Sequence, residues 1–394
     1  MRFQSLCAAA VLACAAPLFL TSHAEAQPRR QFGDVASPKI DSQEIEIYRD
    51  MLGLDEDQLE TVRQLQQAYT AELAKLNEKA REISDAARKE FRETRDATVW
   101  RDMRRVIEKM TEQRDALTEA TLADVRLILS PEQEEKWSTV ERFRRRRHDL
   151  PSGATLSGEA VDLIALTNQD LVPEASREPV DALLDQYAND LDRAIRERDR
   201  IRAKLDEAEA AEDAGSGDLS QEEEDRFFVD IRAKSAAIRD LNRKYVRLLT
   251  VELGSEVGSS LEASFERASF PAVYQESAAE QAFVTAVMLD DLRPDQADRV
   301  RAAQTAFLRD RAALNEKIAD AIEEDEMSRT GPRRWGRGFG GQRGPSEAQE
   351  LMKSRRELDQ RAVEQLRSML SPEQAGRLPE NKAEDWRSQD FDAS

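Results

Sequence analysis

"LDEDQLETVRQLQQAY", residues Leu54–Tyr69, recurs as "LRPDQADRVRAAQTAF", residues Leu292–Phe307, at a constant offset of 238 positions. The shared pattern D-Q-x-x-x-V-R-x-x-Q-x-A-aromatic needs no gap, and "LNEK" follows both copies, at Leu76–Lys79 and Leu314–Lys317. In the first copy Leu59, Val62, Leu65, Tyr69, Leu73, Leu76, Ala80 and Ile83 step by threes and fours, which lines one face of an α-helix. Met103, Val106, Met110, Leu117, Val125 and Ile128 form a second stripe further on. A lone stripe cannot stay in water, so the two helices are expected to fold back as an antiparallel hairpin that buries both. The methionines on the stripe read as core filler rather than ligands.

The downstream end of each copy is also shared, because "LSPEQ" stands at Leu129–Gln133 and again at Leu370–Gln374. With Ser130 as N-cap, Pro131 takes the first helical position and Gln133 the third, which is a capping box; Ser371, Pro372 and Gln374 repeat it. Asp55 with Gln58 makes the same start on the first long helix. In the last copy Arg293 is a poor cap, while Pro294 and Gln296 remain. Loss of one cap costs about 1 kcal/mol. These residues are structural helix caps, and nothing in the motif is suited to catalysis.

A worn third copy lies between the two. Val180 and Tyr187 keep the spacing of Val62 and Tyr69, and "LLTVEL" (Leu248–Leu253) stands where "ILSPEQ" stands in the first copy. The expected fold is therefore all-α: tandem elongated antiparallel helical hairpins over residues 44–149, 159–270 and 280–386, with a tip loop at 329–346 in the last. Pro151–Gly158 is expected as one linker, and the second boundary falls near Ala268–Ala278.

A helix opened by L-x-x-x-Q, a long hairpin, and a terminal helix opened by "LSPEQ" resemble the LTXXQ-motif family of periplasmic proteins, typified by Spy and CpxP. The first copy matches at both ends, with "LDEDQLETVRQL" and "ILSPEQEEKW"; the last matches at its front and through LSPEQ; the middle copy has neither motif. The resemblance implies small all-helical proteins, commonly cradle-shaped dimers, that act as ATP-independent chaperones or stress-response modulators, some of them sensing divalent metals. Three tandem modules depart from that pattern. They leave open a homo-oligomer or an intramolecular pseudo-dimer of the first and last copies.

The N-terminus sets the compartment. Arg2, the small-residue apolar run Leu6–Leu20 and "AEA" at Ala24–Ala26 have the layout of a cleaved secretory signal peptide, residues 1–26, so the expected location is periplasmic. Cys14 in "VLAC" is the rival, lipid-modified processing site, although apolar residues continue past it. Both cysteines and His23 leave with the leader, so only His148 remains, embedded in "RFRRRRHD", a poor setting for a cation. No cofactor, metal or transmembrane segment is expected. The net charge of −20 argues against nucleic acid as a partner.

Two hairpin tips break the helical composition. "GPRRWGRGFGGQRGP" (Gly331–Pro345) places Arg333, Arg334, Trp335, Arg337, Phe339 and Arg343 in a glycine-rich stretch without an acid, either a plain tip loop or a partner-contact arm. Its G-x-G-x-x-G match lacks the strand that a dinucleotide site needs. "DEAEAAEDAGSGDLSQEEED" (Asp206–Asp225) is its acidic counterpart. The functional expectation is an interaction protein that holds unfolded or envelope proteins without nucleotide. A structural scaffold is the alternative, and an enzyme ranks last.

Overall fold

The computed structural model describes residues 38–96, 98–167, 172–213, 217, 219–328 and 346–379. The leader, the Gly/Arg-rich tip and the tail beyond 379 lie outside the described residues. The fold is all-α, with no strand among the described residues. The chain divides into two compact units, one ending at Trp137 and the other starting at Ser138.

In the first unit α1 (Ser42–Leu52) precedes a hairpin of α2 (Glu56–Thr94) and α3 (Thr98–Leu127), and the short α4 (Pro131–Glu135) follows. At about 1.5 Å per residue the 39-residue α2 is about 58 Å long. Distally the arms meet through Ala80 and Met110, then Ala87, Val99 and Met103, so the stripe methionines do fill core. Val106 does not. It stays 40% exposed, and its neighbour Ile107 packs instead. At the open end α1 packs on α2, and the Tyr69 hydroxyl accepts from the Lys39 N–H (3.0 Å) and bonds Thr118 Oγ1 (3.2 Å).

The second unit holds two further hairpins: α8 (Arg177–Asp213) with α9 (Gln221–Ser269), and α12 (Pro294–Ser328) with α13 (Glu347–Met369). The earlier part of the unit is α5 (Trp137–Arg144), which starts at the division, a π-turn at Arg145–Asp149, α6 (Leu150–Gly153) and α7 (Leu163–Leu166). Between the two hairpins come α10 (Pro271–Tyr274) and α11 (Ala278–Val287), and α14 (Pro372–Ala375) follows them. The α8–α9 core gathers Val180, Tyr187, Leu191 and Ile195 against Ile238, Tyr245, Leu249 and Leu253. Burying each such side chain contributes about 1.5–3 kcal/mol.

Two sequence expectations change here. "LTVEL" remains helical inside α9, and the break falls later, at Gly254 (φ 76°, ψ 178°), a backbone region open to glycine alone. The Ser-Pro start has thus been replaced by a glycine corner, and Gly258 packs so closely that a Cβ would come within 2.6 Å of the Thr250 carbonyl oxygen. The expected linker Pro151–Gly158 is not a tether. Arg198 donates to the carbonyls of Asp149 (2.6 Å) and Leu150 (3.4 Å), and Arg202 to that of Gly153 (3.0 Å). The basic run before it is likewise anchored, with Arg145 on Asp192 and Arg146 on Asp162.

The second boundary is equally packed: Val273 of α10 is fully buried with Phe270, Ile318 and Ala319, and Arg355 donates to its carbonyl at 2.6 Å. In the last hairpin Arg311 pairs with Glu280 of α11 and lies 3.6 Å from Asp359. Burial pushes the Asp359 carboxyl above its ordinary 3.8, against the pull of Arg311 and Arg355. A carboxyl whose folded pKa is raised contributes stability that is fully present below the unfolded pKa and lost as pH rises through the folded one. Asp359→Asn should therefore flatten the decline in urea midpoint as pH rises from about 3.8. An unchanged slope would reject this assignment.

Candidate functional site

The sequence motifs converge on one arrangement, built once in each well-preserved module. Asp55, Ser130 and Ser371 each cap a helix in a complete capping box with Gln58, Gln133 and Gln374. Arg293 supplies only half a box, because its N–H reaches Gln296 Oε1 at 3.2 Å. So far the side chains act locally.

Each glutamine also acts across its hairpin. Gln58 Nε2 donates to the Ile128 carbonyl (2.9 Å) and to Gln133 Oε1 (2.8 Å). Gln133 Nε2 donates in return to the Gly53 carbonyl (3.0 Å) and to Gln58 Oε1 (2.9 Å). With the cap bonds Asp55 N–H to Gln58 Oε1 (3.1 Å) and Ser130 N–H to Gln133 Oε1 (2.9 Å), both amides use all their donor and acceptor capacity. In the last module Gln296 Nε2 donates to the Met369 carbonyl (3.1 Å) and Gln374 Oε1 (3.4 Å), and Gln374 Nε2 to the Asp291 carbonyl (3.0 Å). The partners correspond residue by residue at the sequence offsets. The motif is thus a clasp that ties the start of one arm to the end of the other.

A carboxylate cannot replace this amide, because the position must accept from its own cap and donate to the opposite chain. The local rule allows Glu or Gln at this place, so sequence reading saw the cap and missed the clasp. Among the described residues the middle hairpin has no clasp. There Asn242 Nδ2 reaches the carbonyls of Gly158, Glu159 and Val161 at 2.9–3.2 Å and its Oδ1 accepts from the buried Tyr187 hydroxyl at 3.0 Å.

The clasp-free α8–α9 hairpin leaves one of its faces open. Pro179, Ala182 and Leu183 of α8 and Leu248 and Val251 of α9 line a groove of about 360 Å³. Leu248 is 40% and Val251 77% exposed. The signal was present in "YVRLLTVEL": Tyr245, Val246, Leu249 and Leu253 already fill one helical stripe, so Leu248 and Val251 are surplus. The contact residues expected at the basic tip, Arg333, Arg334, Trp335, Arg337, Phe339 and Arg343, lie outside the described residues.

Among the described residues no group of three or more His, Cys, Asp or Glu side chains could hold a metal ion, and no helix is long and apolar enough to cross a membrane. Compared with family models, with curated proteins and with solved structures, the chain matches none.

Proposed function

We propose that this chain is an exported, ATP-independent holding protein of the LTXXQ type, binding unfolded or envelope polypeptides without covalent chemistry. The observation that carries the reading is the open α8–α9 groove, where Leu248 and Val251 remain in water. Contiguous apolar surface of this kind is expensive to leave uncovered and suits transient capture of apolar segments. The repeated glutamine clasp supports the resemblance on which the periplasmic location and the chaperone-like role rest.

The test is aggregation of a chemically denatured client, followed by light scattering without nucleotide, with the mature chain starting at Gln27. Near-equimolar protein should suppress scattering, and Leu248→Asp combined with Val251→Asp should remove most of that suppression. No suppression across several unrelated clients would instead favour a scaffold that only spaces its partners.

A further inference from the structure

A second cleft in the same unit has a different chemistry. Its floor is Val246, Phe265, Phe270, Tyr274 and Ala319, contributed by α9, α10 and α12, around a space of about 310 Å³. Its walls carry Glu262 and Glu266 on one side and Glu316, Asp320 and Glu323 on the other. Glu323 is engaged by Arg243 and stands 3.8 Å from Arg239 Nη1. The other four carboxylates pair with no cation among the described residues. Against five carboxylates the lining offers two guanidiniums, Arg243 and Arg247, so the cleft stays negative.

Two observations show that this charge is held at a cost. Burial, then the carboxylates of Glu316 and Glu262, push the Glu266 carboxyl above the usual range. Burial with Glu266, Glu316, Asp320 and Glu323 pushes the Tyr274 phenol up to about 12. A buried donor is also left over at the Glu323 end, because Arg239 is 8% exposed and its Nη1 makes no hydrogen bond. A main-chain carbonyl would satisfy it.

We propose that this cleft binds extended segments of other polypeptides that are basic and carry an aromatic or branched apolar side chain. The apolar group seats on the Phe265–Phe270–Tyr274 floor, while flanking Arg or Lys side chains meet the unpaired carboxylates. Charge complementarity selects the occupant: a cation relieves the mutual repulsion of the carboxylates and gains the aromatic faces, whereas an acidic segment is repelled. The inference rests on the polypeptide-binding reading above but concerns a separate surface and a narrower class of segment.

Fluorescence anisotropy of three labelled peptides in a Gly/Ser background tests it, one with Arg and Phe, one with Arg alone, and one with Glu and Phe. The Arg/Phe peptide should bind about ten-fold more tightly than either of the others, with an affinity that falls as salt rises. Glu266→Gln with Glu316→Gln should weaken that binding about ten-fold, since both carboxylates line the cleft. The charge-matched control Glu78→Gln with Glu82→Gln, on the exposed face of α2, should leave it unchanged. Equal weakening in the control, or equal binding of the Arg-only peptide, would reduce the effect to bulk charge and overturn the proposal. Binding that emerges only on deletion of residues 331–345 would assign the cleft to the chain's own arginine-rich segment and overturn it too. Absence of peptide binding while aggregation is still suppressed would sink the cleft alone; no suppression by the unaltered chain, or suppression left intact by Leu248→Asp with Val251→Asp, with peptide binding intact would sink only the earlier reading.

Discussion

Glu159→Ala should destabilise the second unit by about 3–5 kcal/mol, the largest single-site effect expected outside the apolar core. Glu159 and Arg198 are both fully buried, with Arg198 Nη1 2.7 Å from Glu159 Oε1. The other carboxylate oxygen accepts from the N–H groups of Thr155 (2.6 Å) and Leu156 (3.2 Å). Arg198 is held from the opposite side by the Asp149 and Leu150 carbonyls and by Asp199. Burial works to lower its pKa, but the bonds to Glu159 and Asp199 prevail and the net shift is upward. Removing the carboxylate leaves the buried guanidinium with only the half-buried Asp199 as counter-charge, and leaves the Thr155 and Leu156 N–H groups without this acceptor.

The pair itself need not stabilise by that amount, since desolvation offsets much of the attraction. Glu159→Leu with Arg198→Met should therefore recover part of the loss, short of all of it because the surrounding backbone groups lose their partners. Peptide-resolved hydrogen exchange over α8 reads the effect; both described tryptophans, Trp100 and Trp137, belong to the first unit. If the double replacement costs the sum of the singles, the two side chains act independently and the pairing argument fails. Gly153→Ala gives a second check, because a Cβ there would sit 2.1 Å from Arg198 Nη2.

Gln133→Glu should cost the first unit about 2–3 kcal/mol at neutral pH, although Glu is a standard residue for a capping box. The substitution keeps the bond from the Ser130 N–H but removes donors to the Gly53 carbonyl and to Gln58 Oε1. It also sets a carboxylate against two carbonyl oxygens. The charged form is disfavoured in the folded state, so its pKa is raised there and the lost stability should return as pH falls through it. Trp137, 4% exposed and edge-on to Tyr48, reports unfolding by fluorescence. A neutral Gln133→Glu would mean that the glutamine is only a cap. Gln374→Glu should cost less, because Gln374 Nε2 gives up one donation, to the Asp291 carbonyl, where Gln133 Nε2 gives up two.

Much of the architecture is legible in the sequence. The duplicated stretch at Leu54 and Leu292, the stripe from Leu59 to Leu73 and the helix starts at Asp55, Ser130 and Ser371 all appear where the chain placed them. The worn module was harder. Thr250 looked like the counterpart of Ser130, yet the turn moved to Gly254, because one φ-permissive residue can make a corner wherever it occurs. Val106 and Ile107 could not be told apart, since both lie near the stripe and only the partner arm decides which is covered.

By itself the sequence determined what acts within a turn or two of helix: periodicity, caps and the repeat. These depend on neighbours three or four positions away and are written in order along the chain. Only the tertiary structure decided the glutamine clasp, the sealed Arg198–Glu159 pair, the packed linkers and the two open clefts. In the clasps and the buried pair the partners lie 39 to 83 positions apart. Which groups meet across such a gap depends on how long each arm runs before it turns, and no local rule carries that information.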